Sequence, residues 1–190
     1  LTALRMKQEI ASGWEYGDPI PIYDVLSFFW CPEEGIRLRS KKDKAPYDIW
    51  EKEGFLTATE GDAVDHQAIR LKINELAKVY DIQEIAADAW NAHKILTELE
   101  QEDGFQILRV RQGFLSLSAP TKELDILYRH QRIRHGGHPV LRWCANNASL
   151  EKDAADNWKP SKKKSSERID GITALVTGLS RFLLDTEDRD

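Results

Sequence analysis

Ile82-Gln83-Glu84-Ile85-Ala86-Ala87-Asp88 is the stretch on which the fold turns. It is short, apolar and closed by an acid, the pattern of a buried strand rather than of a helix. Upstream, Ile69, Ile73, Leu76 and Tyr80 recur at spacings of four, three and four, the stripe of an amphipathic helix with Asp65 placed to cap it. Downstream, Asn91 to Glu102 carries Ile95, Leu96 and Leu99 at helical spacing and stops at Gly104. Phe105-Gln106-Ile107-Leu108-Arg109-Val110 then alternates like a further strand. Helix, strand, helix, strand requires crossovers, and crossovers imply parallel pairing in an α/β domain.

The first third is expected to be mainly strand. Leu1 to Met6 and Ile20 to Trp30 are rich in β-formers, with turn chemistry at Glu15-Tyr16-Gly17-Asp18-Pro19, which suggests a hairpin. Between Pro32 and Glu53 the charged run and Pro46 to Glu53, closed by Gly54, read as one or two short helices, followed by a strand at Phe55 to Thr59. In the second half, Ser118 to Gln131 resembles a capped helix with Leu124, Leu127 and Tyr128 inward. His135-Gly136-Gly137-His138-Pro139 is a turn before a helix from Val140 to Asn147. Polar Leu150 to Lys164 reads as a hairpin or a mobile loop. A last helix starts near Ser166, carries Ile169, Ile172, Val176, Leu179 and Phe182, and ends near Leu184, with Asp185 to Asp190 frayed. No internal repeat or domain boundary is visible, so residues 1–190 read as one domain.

Composition sets limits on function. The chain has 190 residues, 41% hydrophobic and 31% charged, which excludes intrinsic disorder and fits one globular domain. Two distant cysteines, Cys31 and Cys144, exclude a CxxC motif and a zinc ribbon and suit a reducing cytoplasm. No apolar run approaches the roughly 20 residues of a spanning helix and no signal peptide is apparent, so a membrane-bound or secreted protein is not expected. With a formal charge of −5, any nucleic-acid contact must come from local basic patches. The apolar opening at Leu1, with no starting Met, reads as a piece of a longer polypeptide. GxxxxGK[ST], GxGxxG, GxSxG and HExxH motifs are all missing, which removes P-loop, dinucleotide, esterase and zincin chemistry.

What remains are carboxylates and lysines. Asp88 stands where an apolar strand ends, the place at which α/β sheets put ligand-binding residues. The ordinary alternative is a helix cap, for which Asn91 competes. Asp170 lies in the first turns of an apolar helix, next to Gly171, whose missing side chain suggests a close approach. If these two acids meet, their oxygen-only donor set calls for magnesium or manganese. Asp65 and Asp62 are further candidates, Asp65 first as an N-cap. The basic clusters are Arg129 to His135, containing Arg132 and Arg134, and Lys162-Lys163-Lys164. Such runs are usually solvated faces, but here one precedes Asp170, as a phosphate-binding face beside a metal site would.

Five segments in order resemble one family, the C-terminal nuclease domain of the tailed-bacteriophage terminase large subunit, a DNA-packaging motor protein. They are Pro46-Tyr47-Asp48-Ile49-Trp50 with Gly54 to Thr59; Ala87-Asp88-Ala89-Trp90-Asn91-Ala92; Val110-Arg111-Gln112-Gly113-Phe114 with Leu117-Ser118 and Lys122-Glu123-Leu124; His135 to Trp143; and Lys164-Ser165-Ser166-Glu167-Arg168-Ile169-Asp170-Gly171. The resemblance implies a ribonuclease H-like fold, a mixed central sheet with helices on both faces. It implies an endonuclease that cuts concatemeric double-stranded viral DNA with acids holding two Mg2+ or Mn2+ ions. Asp88 matches the acid ending the central strand, Asp170 the acid of the last helix, and Asp65 a frequent supporting acid. The family's first catalytic Asp, on a leading strand, falls before the segment matching Leu1 to Leu4, so the site is expected to be incomplete in this piece. The N-terminal ATPase domain is expected to lie outside it too.

On that resemblance, Lys162, Lys163, Lys164, Arg168, Arg132 and Arg134 are candidates for DNA contact, with little base specificity because phosphates rather than base edges are addressed. The implied partners are duplex DNA, the portal protein, the small terminase subunit and the ATPase domain, in the host cytoplasm at the procapsid portal. Two other classes compete: a docking module that binds DNA, portal or small subunit without cutting, and, more remotely, another ribonuclease H-like enzyme such as a junction resolvase or integrase core.

Overall fold

The computed structural model describes residues 2–7, 22–88, 90 and 92–187. Its centre is a three-stranded mixed sheet in the order β1-β5-β6, where β1 is Thr2–Lys7, β5 is Asp81–Ala87 and β6 is Ile107–Arg109. β5 and β6 run parallel, with Ile85 opposite Ile107 and Ala87 opposite Arg109. The connection between them is a right-sized crossover through one helix, α4 (His93–Gln101), as the alternating pattern requires.

Helices cover both faces. On one, α3 (His66–Ala77) and α4 send Ile73, Ile95, Leu96 and Leu99 against Ile85, Ala87 and Ile107. Leu96, Leu99, Ile85 and Ala87 are fully buried. Arg70 ties α3 to the end of α4 through Asp103 (Nε to Oδ2, 2.6 Å) and Glu102 (2.8 Å). On the other face, α7 (Asp170–Glu187) packs across β1 and β5 and against α5 (Phe114–Arg129). There Arg181 Nε donates to Glu84 Oε1 at 3.0 Å, so the buried acid of β5 is paired.

A second cluster is aromatic. β3 (Trp30–Pro32) pairs in parallel with β4 (Thr57–Thr59), and α1 (Glu33–Lys42), α2 (Tyr47–Lys52) and α6 (Pro139–Asn147) close over them. Tyr47, Trp50 and Trp143 meet with ring centroids 5.4–5.8 Å apart, a separation at which tilted rings attract beyond simple burial. Gly54 ends α2 at φ +79°, a backbone conformation that a side chain resists.

Several expectations change. The hairpin of Leu1 to Met6 with Ile20 to Trp30 does not form among the described residues. β1 runs antiparallel to β5, and the second segment is split into β2 (Tyr23–Asp24), paired in parallel with β7 (Ile133–Arg134), and β3. An alternating pattern specifies a strand but not its partner, which tertiary burial selects. The Glu15 to Pro19 turn lies outside the described residues, as do Asn91 and the tail from Asp188. α5 begins four residues earlier than Ser118, whose buried Oγ instead accepts from Trp158 N at 3.1 Å. Tyr80 follows the end of α3, and Tyr128 is exposed on α5. The Leu150 to Lys164 segment resolves as a hairpin: β8 (Leu150–Lys152) antiparallel to β9 (Trp158–Pro160), seated on α5. α7 starts at Asp170 rather than near Ser166, and helix persists to Glu187 where fraying was expected.

Candidate active site at the carboxyl end of β5

Three acids are the candidates, each held by a different element: Asp65 before α3, Asp88 after β5 and Asp170 at the start of α7. α3 enters β5 from Asp65, and Asp65 Oδ1 accepts from Gln67 N at 2.8 Å, the cap its sequence position predicts. Asp65 also borders a cleft of about 210 Å3 shared with Lys94 and Glu98 of α4. Asp88 follows the last residue of β5, and its Oδ1 accepts from Trp90 N at 3.1 Å. It does not cap α4, whose preceding residue is Ala92.

Asp170 arrives by a different route. α7 lies antiparallel to β5: Arg181 meets Glu84, and nearer the helix start Thr177 Oγ1 faces Gln112 Nε2 at 3.5 Å, just after Val110, which donates to Ala87 O at 2.9 Å. From Arg181 to Asp170 is about 16 Å of helix, and from Glu84 to Asp88 about 13 Å of strand. The start of α7 therefore lies toward the carboxyl end of β5, the end at which Asp88 stands. As the first residue of α7, Asp170 is favoured by the helix dipole. Its Oδ1 is 2.8 Å from Lys162 Nζ, with both side chains partly exposed.

The close approach anticipated at Gly171 is real but internal. A Cβ there would stand 3.0 Å from Leu141 Cδ1 of α6 and 3.0 Å from Phe29 Cζ. Glycine lets α7 seat against the aromatic cluster, and that contact sets where Asp170 begins.

The basic candidates separate into two groups. Lys162 and Arg168 line a groove of about 310 Å3 with Asp170. Lys163 and Lys164 are exposed on the same turn. Arg132 and Arg134 lie elsewhere, at the β2–β7 ladder, where Arg134 is ion-paired with Asp24 at 2.8 Å; neither lines the groove.

Arg168 is partly committed inward. Its Nε donates to Asp43 Oδ2 at 2.9 Å, and the same oxygen accepts from Tyr47 Oη at 2.7 Å. Asp43 is only 4% exposed. Burial alone would raise its carboxyl pKa, but the hydrogen bonds from Tyr47 and Arg168 outweigh it and hold the group below the usual range. Burial, followed by the bond to Asp43, pushes the Tyr47 phenol well up. Sequence reading missed Asp43 because an Asp among lysines looks like a solvated turn; nothing local marks the partner 125 residues away.

The donors at this end are carboxylate oxygens, which suit a hard divalent cation, and magnesium characteristically uses one or two carboxylates with water and phosphate completing its shell. Among the described residues no group of three or more His, Cys, Asp or Glu side chains is placed to hold a metal.

Comparison with known proteins decides the family. The family model for the terminase large subunit, endonuclease domain, matches residues 23–186. The chain belongs to that family. It is 36% identical over 177 residues to the terminase large subunit of Enterobacteria phage HK97, covering 93% of this chain and 34% of that protein. It is 27% identical over 169 residues to Protein YmfN of Escherichia coli (strain K12), covering 85% of this chain and 37% of that one. The crystal structure of the HK97 bacteriophage large terminase superposes with a TM-score of 0.78 at 36% identity, over 84% of this chain and 34% of that chain. The terminase nuclease domain described here thus has the mixed α/β, ribonuclease H-like architecture and spans about a third of the length of the relatives it matches. Among the described residues no helix is long and apolar enough to cross a membrane.

Proposed function

We propose that this terminase nuclease domain hydrolyses the backbone of concatemeric double-stranded viral DNA in a reaction dependent on Mg2+ or Mn2+. Asp88 and Asp170 are the residues assigned to hold the cations, with Asp65 in support. The observation that supports the reading is the antiparallel course of α7 along β5, which turns the start of α7 toward the strand end that carries Asp88, in a chain of nuclease family.

Held by Asp88 and Asp170, two divalent cations would supply water activation at neutral pH and stabilisation of the leaving oxygen. The chain's own residues bind and orient. Asp170 is fixed by the helix start and Asp88 by the strand end. Lys162, already 2.8 Å from Asp170, is positioned to meet a phosphate oxygen brought to that carboxylate. Lys163, Lys164 and Arg168 extend the positive surface, so phosphates rather than base edges are addressed. Arg132 and Arg134, being remote from this groove, are not needed for the step itself. In the longer protein the domain works with the ATPase domain, the portal and the small terminase subunit in the host cytoplasm.

The test is cleavage of supercoiled plasmid with Mn2+ against an EDTA control, run on this chain and on a version extended upstream through the leading strand. Nicking or linearisation by the extended protein, abolished by EDTA, is the expected result. Retention of DNA binding with no cleavage by either would overturn the nuclease reading in favour of a docking module.

A further inference from the structure

The end of α1 and the turn before α7 are far apart in the chain, yet they form the two banks of one groove. Lys42, the last residue of α1, and Lys162 both line it, and the Asp43–Arg168 pair at 2.9 Å joins the banks beneath. Asp43 is buried while Arg168 stays partly exposed, so the joint is screened by salt less than a surface pair would be.

The charge along this groove runs against that of the molecule. Residues 41–44 and 162–170 together hold seven Lys or Arg and three Asp or Glu, a net +4 in a chain whose whole formal charge is −5. Two of the three acids are already engaged, Asp43 by Arg168 and Tyr47 and Asp170 by Lys162. Glu167 is the remaining carboxylate along the groove. Lys42 makes no ion pair among the described residues; its charge acts on Asp43 through space, and it stands exposed on the bank opposite Lys162. A polyanion is the partner that this arrangement fits, and a groove open along its length suits a backbone rather than a single phosphate.

We infer that Lys42 is a DNA-backbone contact, forming with Lys162 a two-sided phosphate track that leads past Asp170. The inference rests on the nuclease reading for the identity of the polyanion as duplex DNA, and it adds the α1 bank, which no motif in the sequence marks.

The experiment is fluorescence anisotropy of a labelled mixed-sequence duplex over a salt series in EDTA, so that binding is read without cleavage. Lys42→Gln is expected to lower the slope of log K against log salt by about 0.9, one phosphate contact, equivalent to about eightfold in affinity at about 0.1 M salt. Lys42→Arg should restore both. Lys78→Gln, at the far end of α3, should change neither. An unchanged slope for Lys42→Gln, or no duplex binding by the unmodified chain at low salt, would overturn the inference. Binding that depends on Lys42 in a protein that never cuts plasmid would overturn the nuclease reading and leave the track standing.

Discussion

The aliphatic cluster behind β5 comes from one continuous stretch, with Ile69 to Ile107 supplying its members, whereas the aromatic cluster joins residues 29–58 to Val140 and Trp143. Each positions part of the candidate acid set. The first holds the α3–β5–α4 unit that carries Asp65 and Asp88. The second seats α6, and through Leu141 and Phe29 against Gly171 it sets the start of α7 and Asp170. The proposed site needs both clusters intact, but only the first is written in a local period.

The largest effect should come from removing either acid. Asp88→Asn and Asp170→Asn are each expected to abolish metal-dependent plasmid cleavage in the extended protein. The fold should survive, since the helix-dipole contribution lost at Asp170 is about 0.3–1 kcal/mol. Full activity in either variant, with circular dichroism unchanged, would show that the two regions do not meet in one site.

Next in size are the clusters themselves. Leu96→Ala, at a fully buried position, should cost about 2–5 kcal/mol, and Trp50→Ala about 3–5 kcal/mol, by urea unfolding. Hydrogen exchange sharpens the contrast. Leu96→Ala should deprotect β5 and α4 first, and Trp50→Ala should deprotect α1 and α2 first. Identical deprotection patterns would mean that the clusters are one cooperative unit.

Asp43→Asn tests the joint between the banks. Two hydrogen bonds to a buried charge are lost or weakened, for roughly 1.5–3 kcal/mol. The carboxyl's folded pKa lies below its unfolded value of about 4, so its stabilisation is present above that pH and is lost as pH falls through the folded value. The Asn variant should therefore lose less stability than the parent between neutral and strongly acidic pH. An identical pH dependence in both proteins would contradict the role given to this pair.

The smallest effect is at Asp65. Asp65→Ala removes a side-chain cap and should cost about 1 kcal/mol. If the residue only caps α3, cleavage by the folded variant stays at the parent level. A large loss of cleavage with that small change in stability would give it a place among the metal-holding acids.

The elements around β5 were legible because each face announces itself. Ile69, Ile73 and Leu76 keep the helical period, and the Ile82 to Ala87 run is too short and apolar for anything but a buried strand. Asp65 as a cap was legible for the same reason: the interaction spans two residues. The Leu1 to Met6 partner, the early start of α5 and the split of Ile20 to Trp30 were not, because each depends on which surface is free to be covered. Lys162 and Asp170 were both named from sequence, but Arg168's inward partner was hidden.

By itself, the sequence determined the α/β class, the helices on either side of β5, the acids at their ends and the family, since all of these are expressed in spacing and short motifs. Only the tertiary structure decided that α7 runs antiparallel to β5, that Gly171 admits Phe29, and that Lys42 faces Lys162 across a joint made by Asp43 and Arg168. The reason is physical. A local period records which face of an element is buried, whereas a contact between segments 125 residues apart is selected by packing and by the need to pair a buried charge, and leaves no mark on either segment alone.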